Sequence, residues 1–268
     1  MRCCVSAELA ELRPYLVAIA AVFGAAIGSF LNVCIARWGA EPKQSVVRPR
    51  SRCPHCGKEI AWYDNVPVLS WLILRGRCRG CGSTISVQYP LVEIATAIIW
   101  AWMAARYGPS AEALRGALLG TILLGIGMTD ARAYIIPDEF TLGGLAIGLG
   151  FSLAGGLAGF LDAAIGAAVG FFLLWGVGTA GTWLFKQDAM GGGDIKMMAM
   201  VGAYLGWKGV LLTIFLGALL GSLIFVPLHL AGSRKLVPFG IFLALGAAAA
   251  WVAGPAIYAW YAGYLGIA

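Results

Sequence analysis

Residues 210–230 read VLLTIFLGALLGSLIFVPLHL, an apolar run that contains no acidic side chain and no lysine or arginine. About 20 such residues in a helix cross the hydrocarbon core of a bilayer. Further apolar runs lie at 16–36, 91–103, 114–129, 140–157, 163–185, 195–205 and 239–258. Together they predict an all-α polytopic membrane protein with about eight transmembrane helices, although the run at 195–205 is short for a span.

The composition agrees with a membrane protein. Hydrophobic residues make up 60% of the 268-residue chain and charged residues 12%, whereas roughly a quarter of the residues in a soluble domain are charged. The one polar stretch divides the sequence into three predicted parts. They are an N-terminal segment with the first transmembrane helix at 1–39, a loop domain at 40–88 and a membrane-embedded core at 89–268.

The lysine and arginine residues are distributed unevenly between the loops. If the loop at 40–88 is on the inner side, that side of the membrane holds 14 of the 19 basic residues. Basic residues concentrate in cytoplasmic loops, so we expect this loop to be cytoplasmic. The net charge of +6 then reflects topology, and we expect no nucleic-acid partner. The first run lacks a clear small-residue cleavage site, which favours a retained helix over a removed signal peptide.

Four cysteines stand in the polar loop as two matched pairs. Cys53 and Cys56 belong to CPHC, and Cys78 and Cys81 belong to CRGC. Two Cys-x-x-Cys pairs at this separation are typical of a tetrahedral zinc site, in which four thiolates leave no open position. The sequence therefore predicts a structural zinc that stabilises the loop. The alternative, a pair of disulfides, does not fit the reducing cytoplasm in which we expect the loop to lie.

Most of the thirteen acidic residues lie in loops or at predicted helix ends, but two differ in their context. Asp130 follows the run at 114–129 and begins DARAYIIPDEFT, and Asp194 directly follows Gly191, Gly192 and Gly193. An even number of predicted helices separates the two aspartates, which places both on the same face of the membrane. Two facing carboxylates can share one proton and activate a water molecule, as in aspartic proteases. The alternative is that each caps a helix, Asp194 as an N-cap.

At these residues the chain resembles a known family. Gly191, Gly193 and Asp194 form the GxGD signature of membrane aspartic proteases, and AMGGGDIK (189–196) is similar to the prepilin peptidase version. DARAYIIPDEFT resembles that family's first-aspartate segment, with IPD at 136–138. The resemblance continues through the whole loop at 51–93, GSFLNVCIARW at 28–38 and VPFGIFLALG at 237–246.

The resemblance implies a bacterial type IV prepilin leader peptidase/N-methyltransferase of the inner membrane. Such enzymes cleave the leader from precursor pilins or type II secretion pseudopilins at the cytoplasmic face of the lipid bilayer. Many then methylate the new N-terminal residue with S-adenosyl-L-methionine. Carried over to this chain, Asp130 and Asp194 are the catalytic pair and the four loop cysteines are the family's tetracysteine motif. We further expect Gly191, Gly192 and Gly193 to form a tight turn close to the bound peptide.

Three other functions are alternatives to a peptidase with methyltransferase activity. A zinc metalloprotease typically needs HExxH, and neither His55 nor His229 lies in such a motif. A non-enzymatic membrane scaffold and a peptidase without methyltransferase activity remain alternatives. The tetracysteine motif argues mildly against the latter, because family members without methylation often lack it. No Rossmann-type glycine fingerprint is present, so no residues are assigned to S-adenosylmethionine.

Two further expectations concern Ile241 and the glycines of one motif. Ile241 stands where proline is common in the family, and we expect this departure not to touch the chemistry. The glycines of GAAVG (166–170) are expected to allow close helix packing rather than to act in catalysis.

Overall fold

The computed structural model describes residues 2–40, 42–188, 190–231, 238–264 and 266, with side chains from residue 12 onward. Arg234 and Lys235, two of the basic residues used to orient the chain, lie outside this part, as do Ala189 and Val237 of the quoted motifs. Within it, eight α-helices follow one another. They are α1 (Arg2–Trp38), α2 (Leu69–Ile73), α3 (Gln88–Tyr107), α4 (Ala111–Ala133), α5 (Asp138–Ser152), α6 (Gly156–Phe185), α7 (Gly192–Leu230) and α8 (Phe239–Tyr264).

The predicted helical membrane architecture is confirmed. The described chain has five helical stretches long and apolar enough to cross a membrane, namely Leu12–Trp38, Ala111–Ala133, Asp138–Phe185, Gly192–Leu230 and Phe239–Tyr264. Its extended pairing is limited to two isolated bridges in the polar loop. The count of eight transmembrane helices is not confirmed and stays a prediction.

Two of the five stretches contain a change of direction near a predicted helix boundary. The stretch at Asp138–Phe185 joins α5 to α6 through a 3-10 turn at Leu153–Gly155, and Gly156 has a φ of +68°. In α7, Gly206 has a φ of 66° and a ψ of 179°, which interrupts the helix. Glycine adopts this left-handed backbone at little cost. The break at Gly206 separates the short run at 195–205 from the long run at 210–230, as the sequence predicts.

The chain divides into two compact units, residues 1–125 and 126–268. In the first unit α1 packs against α3. A Cβ on Gly24 would lie 2.8 Å from the Cβ of Trp100, and one on Gly28 would lie 2.7 Å from the Cα of Glu93. Asn32 Nδ2 donates to the Tyr89 carbonyl at 3.0 Å. These contacts run in opposite directions along the two helices, so α1 and α3 are antiparallel.

The first half of α7 forms the core of the second unit. Every residue from Met197 to Tyr204 is buried, as expected for a helix surrounded on all sides. Its backbone touches α6: a Cβ on Gly166 would overlap the Gly202 carbonyl, and a Cβ on Gly170 would overlap the Met198 carbonyl. The prediction that the GAAVG glycines serve close helix packing is therefore confirmed.

Candidate active site and metal centre

Asp130 lies in the last turn of α4 and points at the beginning of α8. Its side chain is buried, with 5% of the residue exposed. The backbone N–H of Ile241 donates to Oδ2 at 3.1 Å, and the N–H of Gly240 also donates to this carboxylate. Free N–H groups at a helix N-terminus favour a negative charge. The expectation that isoleucine in place of proline at position 241 does not touch the chemistry stays a prediction. The backbone N–H of Ile241, which a proline would lack, nevertheless contacts Asp130.

Asp194 is the third residue of α7. Its N–H donates to the Gly191 carbonyl at 3.2 Å, and the N–H of Gly191 donates to its carboxylate. Its Oδ1 is buried and accepts no hydrogen bond from the described residues. Asp130 is close enough to interact electrostatically with Asp194. The fold thus brings together the two carboxylates that the sequence selected, and Oδ1 of Asp194 has no partner among the residues that the structure describes.

Ile136 fills the space beside Gly193 at the start of α7 and beside Gly240 at the start of α8. A Cβ on Gly193 would lie 2.8 Å from the Ile136 Cβ, and one on Gly240 would lie 2.7 Å from the Ile136 Cδ1 and 2.9 Å from Asp130 Oδ2. Glycine at both positions therefore lets Ile136 and the Asp130 carboxylate approach the starts of α7 and α8. A Cβ on Gly192 would meet no atom within 4 Å.

These contacts predict different outcomes at two glycines. Gly193→Ala forces its methyl group into Ile136, whose Cβ is fixed to the backbone, and should lower the rate of cleavage by about tenfold or more through misplacement of Asp194. Gly143→Ala, in α5, places the same methyl group where no atom lies within 4 Å and should keep the parent rate. Both variants are compared by initial rates in detergent at matched protein concentration. Equal rates for the two would contradict the packing described for Ile136.

An ion pair joins the segments that follow the two aspartates. Lys196 Nζ donates to Asp138 Oδ1 and Oδ2 at 2.8 and 2.9 Å. Asp138 is the first residue of α5, and Lys196 lies two residues after Asp194. From the family resemblance Asp138 belongs to the IPD tripeptide and not to the catalytic pair, and no sequence feature identifies Lys196 as its partner. The two are 58 positions apart, so no local pattern connects them.

The four loop cysteines form one cluster in the first unit. Their four sulfurs all lie within 4.8 Å of one another, and the Cys53 and Cys81 sulfurs are 3.8 Å apart. Four sulfurs about 2.3 Å from a central zinc in a tetrahedron are separated by about 3.8 Å. His55 is exposed and is not one of the four. The donor set and its spacing therefore fit a tetrahedral metal ion.

Each cysteine pair is presented by the same kind of turn. Cys53 N–H donates to the Lys58 carbonyl at 2.9 Å and Cys78 N–H donates to the Ser83 carbonyl at 2.8 Å. The glycine after each second cysteine has a left-handed backbone, with φ values of +70° at Gly57 and +72° at Gly82. Both turns therefore depend on the order Cys-x-x-Cys-Gly, which CPHCG and CRGCG share.

The thiols of the cluster favour different charge states. Hydrogen bonds from the backbone of Cys56 and then of His55 lower the pKa of Cys53 to about 6. The Ser83 hydroxyl and then its backbone lower the pKa of Cys81. At Cys56 the Lys58 backbone favours the thiolate, but desolvation and the neighbouring sulfurs outweigh it and raise the pKa to about 11. All four sulfurs can therefore be thiolates together only with a cation among them to neutralise their charge.

Two protein-family models match consecutive parts of the chain. Residues 22–107 match the model of the bacterial peptidase A24 N-terminal domain, and residues 117–226 match that of the type IV leader peptidase family. A prepilin leader peptidase/N-methyltransferase of Aeromonas hydrophila is 38% identical over 283 residues, covering 95% of this chain and 97% of that protein. One of Pseudomonas putida is 37% identical over 281 residues, covering 94% of this chain and 95% of that protein.

A third relative matches over a shorter region. A prepilin leader peptidase/N-methyltransferase of Myxococcus xanthus is 40% identical over 213 residues, which cover 80% of this chain and 63% of that protein. No solved structure matches the chain. The two family models, together with relatives aligned over nearly their whole length, place this chain in the type IV leader peptidase family.

Proposed function

We propose that this chain is a membrane aspartic endopeptidase that removes the leader from precursor pilins or pseudopilins and then methylates the new N-terminus. The observation that carries the peptidase function is the juxtaposition of Asp130 and Asp194. We assign both of these aspartates to the catalytic pair. The methyltransferase function rests on the names of the relatives and on the tetracysteine loop that this chain shares with the family pattern.

Cleavage proceeds by attack of water, without an acyl-enzyme. One aspartate, ionised, takes a proton from water as the water oxygen bonds to the scissile carbonyl carbon, while the other, protonated, donates a hydrogen bond to the carbonyl oxygen. The carbon–nitrogen bond then breaks, and the first aspartate passes its proton to the leaving amine. The Gly240 and Ile241 N–H groups hold Asp130 in place, and Oδ1 of Asp194, which accepts no hydrogen bond from the described part of the chain, is available to the water.

The loop cysteines hold a structural zinc in this proposal. Cys53, Cys56, Cys78 and Cys81 are its ligands, and the ion links the two knuckles of a loop that has little apolar core of its own. Because four thiolates complete the tetrahedron, this zinc activates no water. S-adenosyl-L-methionine supplies the methyl group when bound, and we assign no residues of this chain to it.

The proposed location is the bacterial inner membrane, with the loop and both aspartates on the cytoplasmic side. The excess of basic residues supports this orientation, and two helices, α5 and α6, separate the aspartate-bearing segments. A precursor pilin whose apolar helix lies in the bilayer then presents its leader junction at the interface where the aspartates lie. Gly191, Gly192 and Gly193 line the approach of the peptide.

A single reaction tests both activities. The purified chain in detergent is supplied with a precursor pilin and S-adenosylmethionine labelled in its methyl group, and the pilin is followed by mass spectrometry. We expect loss of the leader followed by gain of one labelled methyl group on the new N-terminal amine. An intact precursor would contradict the peptidase function. Cleavage without methyl transfer would contradict the second activity alone and favour the peptidase-only alternative.

A further inference from the structure

Several large apolar side chains are exposed in the otherwise polar loop between α1 and α3, and most of them lie at residues 60–73. We call Trp62, Val66, Leu69, Leu72 and Ile73 the outer patch. Trp62 is 81% exposed, Ile73 is 74% exposed, and Leu69 and Leu72 are each 57% exposed. Exposed apolar side chains concentrated in so short a segment indicate an interaction site.

The outward orientation of the outer patch is fixed by hydrogen bonds on the opposite side of α2. Ser70 is buried, donates to the Tyr63 carbonyl at 2.9 Å and accepts from the Val66 N–H at 3.0 Å. The Trp71 indole N–H donates to the Ile85 carbonyl at 3.2 Å. Residues 69, 72 and 73 follow the i, i+3, i+4 spacing of one helix face. The inward face of α2 is thus satisfied by the loop, and its apolar face is left outside.

Val68 ties this segment to the helices of the first unit. Its φ of 61° is rare for a β-branched residue and costs free energy. The turn is held because the Val68 N–H donates to Glu93 Oε2 at 2.7 Å. Glu93 is itself buried, so a strained turn and a buried carboxylate stabilise one another.

The contacts of Glu93 show where the outer patch lies along the length of α1. Glu93 lies against Gly28 of α1, within the candidate membrane span Leu12–Trp38. Gly28 is ten residues before Trp38, which corresponds to about 15 Å along the helix axis. The turn at Val68 that begins α2 therefore lies near the side of α1, within its candidate membrane span, rather than beyond the end of that helix.

Exposed basic residues follow the outer patch directly. Arg75 and Arg77 come next after α2 in the sequence, and both are exposed. An apolar face bordered by arginines is the pattern of a segment that lies in the membrane interface and attracts anionic lipids. The indole of Trp62 is also of the type that favours the headgroup layer.

We propose that the outer patch is inserted into the headgroup layer of a bilayer containing anionic phospholipids. Leu69, Leu72 and Ile73 contact the upper acyl chains, and Arg75 and Arg77 contact lipid phosphates. The loop is then a peripheral membrane element and not a domain free in the cytoplasm. The inference is independent of the proposed peptidase function, since it rests only on the first unit.

The test is photo-crosslinking of the full chain in lipid vesicles. Trp62 or Ile73 is replaced by p-benzoylphenylalanine, the protein is reconstituted in vesicles of phosphatidylcholine and phosphatidylglycerol, and adducts are identified by mass spectrometry after irradiation. We expect lipid adducts at both positions. The same substitution at His55, exposed on the first cysteine knuckle, is the control and should yield none.

Further experiments separate the contributions of the outer patch and of the arginines to lipid crosslinking. Leu69→Gln, Leu72→Gln and Ile73→Gln combined should abolish the lipid adduct at position 62, whereas vesicles without phosphatidylglycerol should lower its yield. Absence of lipid adducts at both 62 and 73 would overturn the proposal. So would adducts to an added precursor pilin in place of lipid, because the outer patch would then be a substrate surface. A yield independent of phosphatidylglycerol would overturn the role given to the arginines.

Discussion

Asp194→Asn should stop leader cleavage, with a loss of about 10³-fold or more in rate, because an amide can neither take the proton from water nor return it to the leaving amine. Asp130→Asn should have a similar effect, since each carboxylate needs the other in the opposite protonation state. Asparagine preserves size, and the Ile241 N–H donates to a single oxygen of Asp130, an acceptor that the amide retains. Initial rates with a precursor pilin measure the loss.

The matched control is Asp188→Asn. Asp188 is an exposed aspartate in the segment just before the glycines, and its replacement should leave the rate unchanged. The two dyad variants combined should be no slower than either one, since residues that act as a unit are non-additive. Undiminished cleavage by either single variant would exclude the aspartic mechanism, and a further multiplicative loss in the double variant would show that the aspartates act separately.

Replacement of one loop cysteine by serine should weaken metal binding by roughly 10²-fold or more, since four thiolates share a zinc binding free energy of about 10–16 kcal/mol. Cys53→Ser and Cys78→Ser remove one ligand from each knuckle and test both. Metal content after dialysis against a chelator, measured by elemental analysis, should fall from one zinc per chain toward none. Affinity should also fall on acidification, because protons compete for the thiolates.

Cys34→Ala is the control for the metal site. Cys34 is buried in α1 and stands outside the cluster, so the variant should keep a full equivalent of zinc. The same preparations distinguish the role of the ion: loss of zinc should expose the loop at 40–88 to limited proteolysis, because the ion links its two knuckles. Retention of one tightly bound zinc by Cys53→Ser would show that the cluster is not the site.

The sequence predicted those parts of the protein that depend on local spacing. The cysteine cluster follows from two identical five-residue turns, and the break at Gly206 falls between two apolar runs. The pairing of Asp130 with Asp194 followed from counting helices and from the family motifs. The run at 195–205 was predicted as a helix but is short for a span, and it is the most buried part of α7, where Gly202 packs directly on the α6 backbone.

The contacts that the sequence did not predict join distant segments through the backbone or through a single side chain. Ile241 holds Asp130 by its N–H, which any residue except proline provides, so its side chain gave no signal. Ile136 acts by filling a gap between two glycines that are 47 residues apart. Lys196 reaches Asp138 from another helix. Periodicity and motif spacing describe one segment at a time and do not report such contacts.

The backbone contact between α6 and α7 determines which substitutions in these helices should move Asp194. Met198 lies about one helical turn after Asp194, and its carbonyl rests on Gly170 with no side chain between them. The placement of Asp194 against α6 is thus set by main-chain atoms, which all sequences share. Lipid-facing side chains of α6 and α7 can diverge widely between related chains without moving the carboxylate, whereas a single methyl group added at Gly170 would displace it.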